Sequence, residues 1–364
     1  MKNTILYIKH ANSTFIRQDE EILRKYYHVK PYLLHQNRGP LRYFLRLALL
    51  PFFILVNLRS KMMITWFADY HAAIMAFMGK LLGMKTVIIA GGQEAVCYPE
   101  LGKGVYRKKY RGVFAKYALR NASLILPNHE SLIWHENYYY DPAGKKDGIR
   151  YYVPGIKTPM KIVFNGISEK KYFRDPGIAK DPAMVLTVGG NMKGTNDFYN
   201  KGFDLFIELA RMTPDLNFTM IGINKSFLPW VQENHQIAEI KNLKLILFFC
   251  PDEVLFENYN KATWYIQASI TEGMPNTLNE AMLCGCIPIG SDVNGIPDAI
   301  GDTGIIVKKR DITALSNALA EARKLNTANQ AIAQAKKFSL ENRERKMIEI
   351  LEHLNKPDIS FNTQ

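Results

Sequence analysis

Ser269-Ile-Thr-Glu272-Gly-Met-Pro-Asn-Thr-Leu-Asn-Glu280-Ala-Met-Leu-Cys-Gly-Cys-Ile-Pro-Ile289 holds a loop, a helix and a strand in one short segment. The apolar run Thr263–Ile266 precedes it, and Gly273 with Pro275 forces an irregular connection. Thr277–Cys284 then has a helical pattern, and Ile287–Ile289 is a second apolar run. Short, wholly apolar strands on either side of a helix belong to parallel sheet covered on both faces. Two glutamates stand eight positions apart in this unit. Thr277 lies three residues before Glu280, the spacing of a capping box, so one reading has Glu280 capping its own helix. The other reading is chemical. A loop entering a helix N-terminus offers unpaired N–H groups and the positive end of a dipole, a place for a diphosphate. Carboxylates beside it accept hydrogen bonds from the vicinal hydroxyls of a ribose or a hexose. Together these features suit a nucleotide-sugar.

The same rhythm extends in both directions. In the second half, strands are expected at Met184–Val188, Asn217–Ile221, Leu243–Phe248 and Ile305–Val307, and helices at Phe203–Met212, Val254–Lys261 and Ile312–Lys324. In the first half, strands are expected at Ile5–Ile8, Met62–Thr65, Thr86–Ala90, Leu124–Leu126 and Lys161–Val163. Helices there are expected at Asp19–Tyr27, Leu41–Leu58, Ala72–Leu82, Tyr106–Arg120 and Ser131–Tyr138. The fold class is therefore α/β, with two doubly wound domains in tandem and a cleft between the carboxyl edges of their sheets. Lys170–Pro182, with two prolines and a glycine, carries the boundary. Residues 1–172 form a basic first domain, 173–338 a second, and 339–364 a C-terminal helix that packs back toward the first, followed by a tail.

The 364-residue chain is 47% hydrophobic and 22% charged, which excludes fibrous and fully disordered classes. Its four cysteines, Cys97, Cys250, Cys284 and Cys286, are too sparse for a disulfide scaffold and read as reduced. The net charge of +13 is unevenly placed: residues 1–175 hold 28 Lys+Arg against 12 Asp+Glu, the remainder 19 against 22. The first half therefore faces something anionic, such as a lipid headgroup or a phosphate-bearing substrate. The N-terminal apolar run stops at Lys9, too short for a secretory leader. The longest unbroken apolar stretch, Leu47–Val56, falls well short of the ~20 residues of a spanning helix. A Walker P-loop, a G-x-G-x-x-G after the first strand, a G-x-S-x-G elbow, H-E-x-x-H and Asp-x-Asp are all missing from the sequence.

The segment around Glu272 and Glu280 resembles the E-x7-E signature of family 4 glycosyltransferases, retaining enzymes with the GT-B fold. Val188-Gly-Gly190, Lys201-Gly-Phe-Asp204, Cys286-Ile-Pro288, Gly295-Ile-Pro-Asp298 and Asn165-Gly-Ile167 with Phe173 extend the likeness over most of the second half. The resemblance implies that Glu280 holds the ribose hydroxyls and that Glu272 contacts the transferred sugar. It further implies that backbone N–H groups around the loop of Met274, Pro275, Asn276 and Thr277 hold the distal phosphate, and that Lys201 neutralises the leaving diphosphate. Gly189 and Gly190 let the backbone approach the donor. The family usually has an arginine directly after the glycine of this first loop. Here Asn191-Met-Lys193 follows, in a long loop Asn191–Asn200, and Lys193 is the candidate cation.

In the first half, Trp66-Phe-Ala-Asp-Tyr-His71 and Gly91-Gly-Gln-Glu94 follow apolar strands and resemble a subgroup of the same family. His71 and Glu94 are the candidates for contact with the sugar or the acceptor hydroxyl. Arg107, Lys108, Lys109 and Arg111 sit in a basic, aromatic-rich helix suited to anionic headgroups or a lipid-linked glycan acceptor. Leu41–Leu58 reads as mostly core with a basic edge. The resemblance implies a metal-independent hexosyl transfer from a UDP- or GDP-linked sugar, with no cofactor. It implies a place in cell-surface polysaccharide or glycolipid synthesis, in the cytoplasm or peripheral to the inner face of the plasma membrane. A sugar phosphorylase of the same architecture would need a pyridoxal-binding lysine context, which the sequence lacks. A non-catalytic binder of nucleotides or nucleic acid would explain the basic half, although RNA-clamp motifs are missing.

Overall fold

The computed structural model describes residues 2–36 and 39–355. It divides into two compact units, one of residues 1–135, 147–165 and 343–364, the other of 136–146 and 166–342. Each is an α/β unit built on a single parallel sheet, as the apolar strand pattern requires.

In the first unit the elements alternate as β1 (Thr4–Lys9), α1 (Thr14–Tyr26), β2 (His28–Leu33), α2 (Pro40–Leu55), β3 (Met62–Trp66), α3 (Tyr70–Leu82), β4 (Lys85–Ala90), α4 (Lys109–Asn121) and β5 (Leu124–Pro127). The sheet order is β2-β1-β3-β4-β5, all parallel. The order reverses between β1 and β3, and a ligand crevice in such a sheet opens at the carboxyl ends of those two strands. Tyr43, Leu47, Leu50 and Ile54 recur at helical spacing and bury one face of α2 against Leu6, Ile8 and Met63. Each such side chain contributes roughly 1.5–3 kcal/mol of transfer free energy.

Beyond β5, a two-stranded ribbon joins β6 (His135–Asn137) to β7 (Lys145–Asp147), and the short α5 (Ile149–Tyr152) follows. The second unit then runs β8 (Asp181–Met192), α6 (Thr195–Asn200), α7 (Phe203–Met212), β9 (Asn217–Asn224), α8 (Leu228–His235), β10 (Leu243–Phe248), α9 (Asp252–Lys261) and β11 (Ala262–Gln267). It continues through α10 (Asn276–Leu283), β12 (Ile287–Ser291), α11 (Ile296–Ile300), β13 (Ile305–Val307), α12 (Ile312–Ala322), α13 (Ala328–Lys336) and α14 (Leu340–Asn355). The sheet order β10-β9-β8-β11-β12-β13 is all parallel and reverses between β8 and β11, the dinucleotide-fold arrangement.

From Arg343 onward α14 is part of the first unit. Arg343 is buried there and grips Asp19 of α1 in a fork, Nε to Oδ1 and Nη2 to Oδ2, each 2.7 Å. The second oxygen also accepts from Trp66 Nε1 at 2.8 Å, and Arg343 Nη1 donates to the carbonyls of Val163 and Phe164. Every charge in this buried cluster has a partner, the condition under which burial of an ion pair is tolerated.

Several expectations are corrected. Lys161–Val163 runs beside β5, bonding to Ile125 and Pro127, without forming a regular strand, since Pro159 offers that ladder a carbonyl and no N–H. Ser131–Tyr138 is not a helix. The Ile133 carbonyl accepts from the Arg150 N–H instead of from its own next turn, and only a single tight turn at Glu130–Leu132 survives. The edge strand β2 was not anticipated, because it is half exposed and contains Pro31. The expected loop Asn191–Asn200 contains α6. Residues 136–146 join the second unit rather than the first, tied by Asn137 Nδ2 to the Ile270 carbonyl at 2.7 Å. Leu41–Leu58 is core along one face only; Leu41, Phe44, Leu45, Leu49, Phe52 and Leu55 are exposed. The last nine residues of the expected tail lie outside the described residues.

Candidate active site

The switch point of the second sheet gathers most of the residues singled out there. Gly189 and Gly190 lie near the end of β8, where the ladder to β9 is interrupted between Val188 and Met192. A side chain at Gly189 would meet Met192 Cε at 2.5 Å and Phe203 Cζ at 3.1 Å, so a larger residue would have to push the Met192 side chain aside. Gly190 faces open space, with no atom within 4 Å of a built Cβ. Asn191 Oδ1 accepts from Asn224 Nδ2 at 2.7 Å, while Lys193 is exposed.

Lys201 ends α6, and Gly202 starts α7 at φ +69°, a conformation that favours glycine. An added Cβ there would collide with the Ala268 carbonyl just beyond β11, so Gly202 is what lets this turn lie against the strand end. The approach brings Lys201 Nζ onto Glu272 Oε2 as an ion pair, both side chains about a quarter exposed at 23%. Asn200 fixes the same contact, its carbonyl accepting from the Ile270 N–H at 2.7 Å.

The loop from β11 to α10 is held from below. Ser291 Oγ donates to the Ser269 carbonyl at 2.7 Å, and Gly295 N–H to that of Gly273 at 3.0 Å. Glu272 N–H donates to Asn294 Oδ1 at 3.1 Å. Thr277 Oγ1 donates to Gln267 Oε1 at 3.2 Å, and Gln267 Nε2 in turn to Ser269 Oγ. The loop thus reaches α10 with Met274 and Pro275 buried, Asn276 and Thr277 half-buried, and Pro275 at the N-cap. Proline brings no capping side chain, so the N-cap residue makes no side-chain hydrogen bond to the first turn.

The capping-box reading of Glu280 is overturned. Glu280 lies inside α10, its Oε2 accepts from Tyr259 Oη at 3.0 Å, and burial pushes its carboxyl up to about 7. Thr277 is spent on Gln267 instead. Asn294, at φ +49°, and Gln267 escaped sequence reasoning, as did the pair Arg310–Asp204 at 2.6 Å. The Asn294-Gly295 turn dipeptide was the available signal.

In the first unit, His71 and Glu94 belong to the carboxyl edge of the sheet, and both are buried. His71 Nε2 lies 2.9 Å from Thr65 Oγ1 and 3.2 Å from the Trp66 carbonyl. The Thr65 hydroxyl donates to Ile8 O, so Nε2 carries the proton and Nδ1 presents a bare lone pair. Burial lowers the His71 pKa, which keeps the ring neutral. His10, with its ring centroid 6.5 Å from that of His71, is pushed down to about 4 by burial and by that neighbour. Glu94 Oε1 accepts from Gly91 N–H at 2.7 Å, and burial pushes its carboxyl up to about 7. Among the described residues His10 Nδ1, His71 Nδ1 and Glu94 Oε2 are buried polar atoms with no partner.

The basic quartet is divided. Arg111 donates twice to Asp69 Oδ2, at 2.8 and 2.5 Å, and Arg107 Nη1 to the Gly102 carbonyl, whereas Lys108 and Lys109 are exposed. Among the described residues no three or more His, Cys, Asp or Glu side chains gather as a metal site, and no helix is long and apolar enough to cross a membrane. A cavity of about 460 Å³ beside Asp181, Asn217, Lys244 and Glu257 opens at the amino ends of β8–β10, away from these groups.

Comparison with known proteins bears on the same region. The chain is 34% identical over 70 residues to the O-antigen chain mannosyltransferase B of Escherichia coli, covering 19% of this chain and 18% of that enzyme's length. Sucrose-phosphate synthase from Thermosynechococcus elongatus superposes with a TM-score of 0.72 at 15% identity, over 97% of this chain and 99% of that one. HepE of Anabaena, in complex with UDP and glucose, gives 0.67 at 15% identity over 96% and 99%. Such identities establish the fold, and the paired parallel sheets with these strand orders are those of GT-B glycosyltransferases. Residues 168–338, the span that carries Lys201, Glu272 and Glu280, match the family of glycosyl transferases group 1.

Proposed function

We propose that this protein is a retaining glycosyltransferase that moves a hexose from a UDP- or GDP-linked donor to an acceptor hydroxyl. One observation carries the reading: Lys201, Glu272 and the N-terminus of α10 converge at the switch point of the second sheet, with Glu280 one helical turn further on. The match of residues 168–338 and the UDP bound by the Anabaena neighbour support a nucleotide-sugar as the donor.

In this mechanism Glu280 accepts the ribose hydroxyls and Glu272 those of the hexose. The first-turn N–H groups of α10 hold the distal phosphate. Lys201, released from Glu272 as the donor enters, neutralises charge on the departing diphosphate, so no metal ion is needed. The bond from the anomeric carbon to the phosphate oxygen breaks as the acceptor oxygen bonds to the same face of that carbon. The acceptor proton passes to the leaving phosphate. His71 Nδ1 and Glu94 Oε2 are the candidates for positioning the acceptor hydroxyl. The basic first half supports an anionic, lipid-linked acceptor met at a membrane surface, in cell-surface glycan synthesis.

The test is a screen of UDP-, GDP- and ADP-sugars for release of free nucleoside diphosphate. Release from one donor class, abolished in Lys201→Ala and Glu272→Gln, is the expected result. Release by both variants equal to the parent's, or stabilisation by single-stranded RNA and by no nucleotide-sugar, overturns it.

A further inference from the structure

The three helices α2, α3 and α4 lie side by side on one face of the first sheet. Their composition is unusual: none of the three contains an aspartate or a glutamate, while Arg42, Lys80, Lys109, Lys116 and Arg120 are distributed among them. Having buried one face of α2 in the core, the chain places a second apolar face outward. Phe52 is 65% exposed, Leu41 85%, and Phe44, Leu45 and Leu49 line the same side. A helix apolar all round is ordinarily buried on all sides. On α3, Phe77 and Leu81 continue the outward apolar surface at 56% and 68% exposure, and on α4 Tyr110, Val113 and Phe114 do so. Between the helices runs an apolar groove of about 650 Å³, lined by Pro51, Ile74, Phe77, Val113, Phe114 and Tyr117.

We propose that this face is a membrane-insertion surface: the outer side chains of α2 enter one leaflet of an anionic phospholipid bilayer, and the groove between α2, α3 and α4 takes an acyl chain. Charge selects this occupant. A layer of exposed apolar side chains on helices whose charged residues are all cations matches headgroups that are negative above hydrocarbon. A soluble protein partner would call for acidic side chains of its own at every rim position. The proposal deepens the membrane-peripheral reading above. It shifts the attachment from the basic patch of α4 alone to apolar insertion led by α2, so binding survives salt that screens charge.

The experiment is flotation of the full chain with phosphatidylcholine vesicles, with and without phosphatidylglycerol, at about 0.1 M and about 0.5 M salt. The expected result is recovery with the phosphatidylglycerol vesicles at both salt concentrations. Phe44→Ser/Leu49→Ser/Phe52→Ser should lower binding by at least about tenfold while its melting temperature stays that of the parent, since all three side chains are exposed. Arg42→Gln/Lys80→Gln/Arg120→Gln should bind like the parent at high salt and worse at low salt. Flotation of the triple serine variant equal to the parent's overturns the proposal. So does absence of vesicle binding with self-association that the serine variant abolishes, which would make the face a contact between copies. Diphosphate release without vesicles, measured on the same samples, reports the transferase reading separately.

Discussion

Replacing Glu280 with glutamine should strengthen the fold and weaken the site, each in a pH-dependent way. Glu280 is held among Tyr259, Tyr172 and the turns of α10, and burial raises its pKa from 4.5 to about 7. The folded protein therefore holds that proton more tightly than the unfolded chain does. As the pH rises through the interval from about 4.5 to about 7, the unfolded state ionises first, and stability falls. Above about 7 the loss is complete; at 1.36 kcal/mol per pH unit it reaches about 3 kcal/mol, less whatever the solvent reaching this half-buried carboxylate recovers. Glutamine cannot ionise and can still accept from Tyr259. Urea denaturation of the parent and Glu280→Gln at pH 4.5 and pH 8 should accordingly show near-equal stability in acid. At pH 8 the variant should gain about 1–3 kcal/mol. UDP and GDP titrations at pH 8 should show weaker binding to the variant, since an amide oxygen is a poorer acceptor of ribose hydroxyls than a carboxylate. A stability difference between the two proteins that is the same at both pH values would refute the reasoning, because it would mean that Glu280 is ionised alike in the folded and unfolded chain.

Three other perturbations follow from the geometry. Lys201→Ala should lower kcat for donor turnover by about 100-fold or more while moving the melting temperature little, because the Lys201–Glu272 pair is partly exposed; steady-state kinetics beside a thermal melt separates the two. Gly202→Ala should cost at least about 1 kcal/mol in chemical denaturation, from its left-handed backbone and the clash with the Ala268 carbonyl, and should reduce turnover by shifting Lys201. Arg343→Met should destabilise the chain by about 3–5 kcal/mol, since it strands the Asp19 carboxylate in the core; Asp19→Asn in the same molecule should restore most of that loss in urea titrations.

The second half was readable because its strands are mostly apolar runs and its loop chemistry is concentrated in one segment. Met184–Val188, Leu243–Phe248 and Ile305–Val307 could be located from composition alone, and Glu272, Glu280 and Lys201 stand at one switch point. What sequence could not show was the wiring beneath them. Thr277 at a capping-box distance from Glu280 turns instead to Gln267, because with Pro275 as N-cap the helix starts two residues earlier than the box requires. Asn294 reaches Glu272 from a turn 22 residues away, a contact no local pattern encodes. In the first half the pattern failed where elements are short or two-sided. His28–Leu33 alternates too weakly to declare a strand, and Ser131–Tyr138 has helical spacing that the Arg150 N–H disrupts from a distance. The periodicity of Leu41–Leu58 identified a helix correctly and could not reveal that only one of its two apolar faces is buried.

The fork between Arg343 and Asp19 sets an order of events during synthesis. A ribosome releases Asp19 hundreds of residues before Arg343, so over that interval the carboxylate that anchors the first unit lacks this guanidinium partner. The first unit cannot close this buried pair until Arg343 has been made. A chain cut before Arg343 would leave the Asp19 carboxylate buried without its guanidinium partner.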